Sequence, residues 1–207
     1  MNPKIEELLA RIHELERELE ADLAETRARF HYHIDGHKIH FEREAAALQR
    51  RLRKSSLRTL IDAPLRHILT APVIYGLFVP LLLLDIAVSL YQGICFPVYG
   101  IPRLKRGDYF VFDRARLPYL NAIERLNCLY CEYGNGLLSW AKEVAGRTEQ
   151  FWCPIKHARR VPTPHESYNR FFDYGDAERY RAELQRLRKA YGEVKEGSDS
   201  TVQQRSE

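Results

Sequence analysis

The stretch from Ile68 to Ile101, ILTAPVIYGLFVPLLLLDIAVSLYQGICFPVYGI, carries a single formal charge, Asp85. From Val73 to Phe96 a helix would extend about 36 Å, against a bilayer hydrocarbon core of about 30 Å. One crossing is physically sufficient, so the segment is expected to enter a membrane. Its orientation is not given by charge, because Arg50, Arg51, Arg53, Lys54, Arg58 and Arg66 precede it while Arg103, Lys105 and Arg106 follow. Pro80 lies inside the run, with Pro72 and Pro97 nearer its margins. An interior proline removes a helix hydrogen bond and bends the segment, so a single crossing and a bent insertion into one leaflet stand level. Asp85 is a functional candidate by its position alone, with Ser89 one turn later as its nearest polar contact.

The rest of the 207 residues, with 45% hydrophobic and 29% charged content overall, suffices for a modest helical core beside that element. Ile5, Leu8, Ile12, Leu15 and Leu19 recur at spacings of four and three, which predicts an amphipathic helix with a coiled-coil seam. Ala177, Tyr180, Leu184, Leu187 and Tyr191 predict a second, and the two helices are expected to pack together, either within one chain or between chains as a homo-oligomer. In RFHYHIDGHKIHFE, alternation about Asp35-Gly36 predicts a small hairpin. Its His31, His33, His37 and His40 are read as a solvated strand face rather than a metal site, since no ligand cluster of known spacing accompanies them. The basic helical run that follows would attract anionic lipid headgroups. Formal charge is only +4, from 32 basic and 28 acidic residues, and no nucleic-acid motif accompanies them, so no nucleic acid is expected as a partner. The first residues lack a secretory apolar run and are too acidic for a transit peptide, placing the amino terminus in the cytoplasm.

Three of the four cysteines fall in NCLYCEYGNGLLSWAKEVAGRTEQFWCPIKH. Ile123, Leu126, Tyr130, Tyr133, Leu137, Trp140 and Val144 repeat three and four apart, predicting a helix with one packed face, for which Gly134 and Gly136 are the weak points. Cys128 and Cys131 fall off that stripe. With Cys153 and His157 they make C-x-x-C followed by C-x-x-x-H, a donor set suited to structural zinc if a helical hairpin brings the pairs together. An iron–sulfur cluster with Cys95 as fourth sulfur ranks behind zinc. The alternative is a thiol-dependent enzyme. Pro154 would open a helix and put Cys153 at its positive end, Lys156 and His157 would support the thiolate, His157 would act as general base and Cys131 would resolve an oxidised Cys153. Alternatively the cysteines are buried or partly buried structural thiols, as a third reading, a metal-free membrane adaptor or scaffold, would have them. Glu124 and Glu143 make a weaker carboxylate pair, and His165 is a remote candidate for the cysteine site; no phosphate-binding glycine loop or hydrolase elbow is present. GDYFVFDR reads as a short β-rich run, and Tyr168, Phe171 and Phe172 as core.

PVIYGLFVPLLLLD, ICFPVYGIPR, YLNAIERLNCLYCEYGNG and TEQFWCPIKHARR together resemble an uncharacterised bacterial membrane-associated family of unknown function. The resemblance spans most of the chain after the first helix. It implies a bacterial setting and no activity or ligand; with the apolar segment and the cytoplasmic amino terminus, the expected location is the bacterial inner (cytoplasmic) membrane, with the soluble part in the cytoplasm. The expected fold class is mainly α: amphipathic helices around a membrane-inserted helix, with a small β-hairpin and a helical Cys/His-containing domain. In chain order the expected segments are an amphipathic helix over 1–29, the hairpin and basic juxtamembrane helix over 30–67, the membrane-inserted segment over 68–101, the Cys/His domain over 102–192, and a disordered tail over 193–207.

Overall fold

The computed structural model describes residues 3–35 and 38–191, and the expected tail lies outside them. The protein is mainly α with one small antiparallel hairpin. Its elements are α1 (Pro3–Arg29), β1 (Tyr32–Asp35), β2 (Lys38–Phe41), α2 (Arg43–Arg51), α3 (Ser56–Ile61), α4 (Leu65–Gly76), α5 (Phe78–Tyr99), α6 (Ala122–Trp152) and α7 (Ala177–Leu187). They divide into two compact units, Met1–Leu65 with Phe112–Leu129, and Arg66–Val111 with Tyr130–Glu207; α6 begins in the first and continues into the second.

In the first unit, β1 and β2 pair Tyr32 with Phe41 and Ile34 with Ile39. His33 and His40 also pair, and their rings stack at 5.4 Å on an exposed face, the arrangement expected of a solvated strand. His37 lies outside the described residues. The start of α6 is closed by a capping box. Asn121 accepts from the backbone N–H groups of Ile123 and Glu124 through Oδ1, while Glu124 Oε2 accepts from the Asn121 N–H at 2.8 Å. The Asn121 amide also donates to Thr59 of α3, so this buried side chain joins two elements. Glu124 is therefore a helix cap, which removes it from any catalytic carboxylate pair.

In the second unit the apolar run forms two helices separated by Leu77, not one bent at Pro80. Pro80 stands in the first turn of α5, where its missing N–H costs nothing. Its ring would clash with the carbonyl of the fourth preceding residue in a continuous helix, and that residue is Gly76, the last of α4. The sequence of contacts from the end of α4 along α5 sets the direction of these helices relative to α6. Tyr75 meets Tyr130, Phe78 meets Tyr133, the Tyr91 hydroxyl lies 2.9 Å from Thr148 Oγ1, and Tyr99 meets Trp152. The contacts advance together, so the helices are parallel and the chain must double back between them. It turns at Gly100, whose φ of +67° favours glycine, and returns through buried Ile101 and Leu104. Gln92 holds this return by bonding both the N–H and the carbonyl of Leu104. Tyr109 and Phe110 then cross Gly136 so closely that a Cβ there would lie 3.0 Å from the Tyr109 carbonyl. GDYFVFDR is consequently the end of a 3-10 turn (Arg106–Asp108) and loop rather than a strand, with Tyr109 and Phe110 packed on α6.

α6 runs unbroken for 31 residues through Gly134 and Gly136. Leu137, Trp140 and Val144 face α5 in the core, whereas Glu143, Gly146 and Gln150 face the carboxy-terminal segment. That segment buries Phe171 and Phe172, as their pattern predicts. Ile155 and Phe172 form an isolated bridge, and the fully buried Gln150 amide donates to the Leu187 and Ala190 carbonyls around the end of α7. A helix end needs such partners for its last carbonyls.

Candidate functional site

Leu65–Tyr99 is long and apolar enough to cross a membrane, and only 11% of its most apolar window is buried. The distribution of side chains around α5 differs from that in a water-soluble helix in its outer face. At about 100° per residue, Leu81, Asp85, Gln92 and Phe96 share the inner face. Val79, Leu83, Ile86, Leu90 and Ile94 share the opposite face, each more than half exposed. Both charged or amide side chains of α5, Asp85 and Gln92, are turned inward beside Leu81 and Phe96, while the opposite face is wholly apolar. A helix obeying the ordinary hydrophobic pattern would carry polar groups on its exposed face.

The inward polar groups are satisfied. Arg106 grips Asp85 through both guanidinium nitrogens, at 2.5 Å to Oδ1 and 2.8 Å to Oδ2. Tyr133 donates to Oδ2 at 2.9 Å and Ser89 to Oδ1 at 3.2 Å. The guanidinium also lies over the rings of Phe110 and Trp140, at 4.6 and 4.9 Å from their centroids, a cation–π arrangement. Bonding to Asp85 raises the Arg106 pKa further, and burial, reinforced by the neighbouring carboxylate, pushes the Tyr133 phenol up to about 12. All four groups keep one protonation state across the physiological range. The cluster is thus a fixed clamp between α5, the return loop and α6, rather than a proton path.

The cysteine and histidine positions do not converge. Cys128 and Cys131 lie one turn apart on α6, as the spacing requires, but the helix continues to Trp152 where a hairpin was expected. Cys131 and Cys153 are 22 residues apart on either side of that continuous helix, hence separated by about 33 Å. Among the described residues no group of three or more His, Cys, Asp or Glu side chains could hold a metal ion. Cys153 is exposed and follows the carboxyl end of α6; Pro154 starts no helix. The helix start expected to place Cys153 at a positive dipole end is therefore absent. His157 stacks on Tyr168 at 6.2 Å, and its backbone N–H donates to the Tyr168 hydroxyl at 2.7 Å. Cys95 is half-buried on α5. His165 packs on Gly146, with Nε2 3.1 Å from Glu149 Oε2, and joins no cysteine.

No family model, curated protein or solved structure matches the chain.

The outward apolar face of α5 and its inward clamp are therefore the best-defined features of the second unit. Sequence reasoning found Asp85 and its Ser89 contact but missed Arg106, Tyr133 and Gln92. A signal for Arg106 was present: a lone carboxylate in an apolar helix needs a cation, and the cations closest in sequence on the carboxyl side are Arg103, Lys105 and Arg106.

Proposed function

We propose that this is a membrane-surface protein whose α4–α5 segment lies within one leaflet, leaving α6 and the carboxy-terminal segment on the aqueous side. The observation that carries this reading is the apolar, exposed face of α5 opposite an inner face that holds Asp85 and Gln92. A crossing is disfavoured by what travels beside the helix. Tyr91 meets Thr148, so Arg147 and Glu149 stand at the level of the α5 midsection, with exposed Lys142 less than two turns earlier. Carrying such groups to mid-bilayer costs about 3 kcal/mol each, whereas an in-plane helix immerses its apolar face alone. The bacterial inner membrane is the proposed location, on the cytoplasmic side, and an adaptor or scaffold role is the functional class that requires no site chemistry.

Flotation with phosphatidylcholine vesicles tests the reading. The wild type should float, and Leu83→Glu with Ile94→Glu should remain with the soluble fraction while retaining its helical circular dichroism. Tags at the two termini should be cleaved from the same side of sealed vesicles. Cleavage from opposite sides would restore the crossing.

Self-association through α1 belongs to the same proposal. Ile12, Leu15, Leu19 and Leu23 form an exposed stripe on this 27-residue helix, and a second copy would cover it. Leu15→Glu with Leu19→Glu should reduce the sedimenting mass in detergent to that of a monomer; an unchanged mass removes α1 from the interface.

A further inference from the structure

The connection after α6 has no place in the anchoring just described. Lys156, His157, Arg159 and Arg160 line an open concavity together with Tyr168 and Asn169. No carboxylate lines it. Lys156 is held by Asp173 at 2.9 Å, an ion pair that lowers the Asp173 pKa, and His157 is held flat against Tyr168. Arg159 and Arg160 differ from these two: both are exposed, and neither makes a hydrogen bond or ion pair to any described residue. Two consecutive unpaired arginines lining a cavity, beside a tethered ammonium and an aromatic stack, suit an oxyanion with several acceptor oxygens.

Its position narrows the ligand. The loop leaves α6 at Trp152, which is half exposed and packs on Tyr99, the last residue of α5. Paired aromatic rings at the end of an apolar helix suit the headgroup level of a bilayer. The basic concavity begins four residues beyond that point. We propose that the loop formed by residues 156–160 binds a phosphate monoester, presented to it as the headgroup of an anionic lipid in the leaflet that α5 occupies. The lipid source rests on the membrane-surface reading above; the phosphate chemistry does not.

The test compares wild-type protein, Arg159→Gln with Arg160→Gln, and a control of equal charge loss elsewhere, Arg181→Gln with Lys189→Gln. All three are floated with phosphatidylcholine vesicles, with and without phosphatidic acid, and titrated calorimetrically in detergent with glycerol 3-phosphate. Each basic side chain near an anionic surface contributes about a fivefold gain, so the Arg159/Arg160 variant should lose about thirtyfold in partitioning to phosphatidic acid vesicles. The control should lose much less, and both should bind pure phosphatidylcholine like the wild type. An equal loss in the two variants, or none in the Arg159/Arg160 variant, overturns the site. If the wild type fails to float on any vesicle, the membrane reading falls, and glycerol 3-phosphate alone decides: heat that disappears in the Arg159/Arg160 variant retains a site for a soluble phosphate ester, and no heat in the wild type overturns it.

Discussion

Asp85 and Arg106 are unequal partners, and their difference in burial determines what each substitution does. The Asp85 side chain is 12% exposed and that of Arg106 is 43%. Arg106→Met strands a carboxylate inside the helix pair and should destabilise the protein by about 3 kcal/mol. Asp85→Leu leaves a guanidinium that reaches solvent, at a cost of about 1 kcal/mol. The double substitution should recover to within about 1 kcal/mol of the wild type, because an apolar pair of similar volume replaces a buried ion pair well. Denaturant unfolding in detergent measures all three, and a double variant as weak as Arg106→Met would refute the pairing argument. Glu143 adds a pH dependence. Burial holds its carboxyl above the usual range, despite the hydrogen bond from the Glu166 N–H, so the folded chain binds that proton more tightly than the unfolded chain. The corresponding stability is fully present below the ordinary carboxyl pKa of about 4.3 and is lost as pH rises through the raised folded value. Glu143→Gln should therefore gain stability over wild type at neutral pH, by up to about 1 kcal/mol, with the difference shrinking in acid. Thermal melts at the two pH values check the sign.

Among the elements, α6 shows how little a glycine's identity says without its neighbours. Gly134 has only the Leu81 methyl at 3.5 Å from where a Cβ would stand, so Gly134→Ala should stabilise by up to about 1 kcal/mol through helix propensity. At Gly146 the same Cβ would meet the His165 ring at 2.4 Å, and Gly146→Ala should destabilise by about 2 kcal/mol despite the better propensity. Opposite shifts in melting temperature from two identical substitutions on one helix are the expected result. The existence of α1, the hairpin, α6 and α7 was legible from apolar spacing and from the Asp-Gly pair, and so was the packed stripe of Tyr133, Leu137, Trp140 and Val144. The parallel course of α5 and α6 was not, because it depends on a return loop whose aromatics look strand-forming until Gly136 receives them. The clamp was half legible: Asp85 stands out in its apolar run, whereas Arg106 reads as one more flanking cation. The zinc reading failed to converge for a related reason. Local spacing made two plausible ligand pairs, but a glycine pair that looked like a break is continuous helix.

At the scale of the whole molecule, the outward face of α5 is the apolar surface of the second unit that asks for something beyond the chain. Its substitutions should therefore separate two properties that ordinarily fall together. Polar replacements at Leu83, Ile86 or Ile94 should leave folding in detergent almost unchanged, within about 0.5 kcal/mol, while weakening attachment to vesicles. A matching loss of stability would show instead that these side chains pack inside the fold. The parallel pairing also imposes an order in time. As the chain is synthesised, α5 is complete before its α6 partner exists, and Asp85 emerges as an unpaired carboxylate among leucines. Arg106 follows only 21 residues later, whereas Tyr133 follows after 48. The cation that neutralises the helix is thus available well before the helix that packs on it, so the newborn segment can settle against a lipid surface as a paired, nearly neutral element while α6 is still being made.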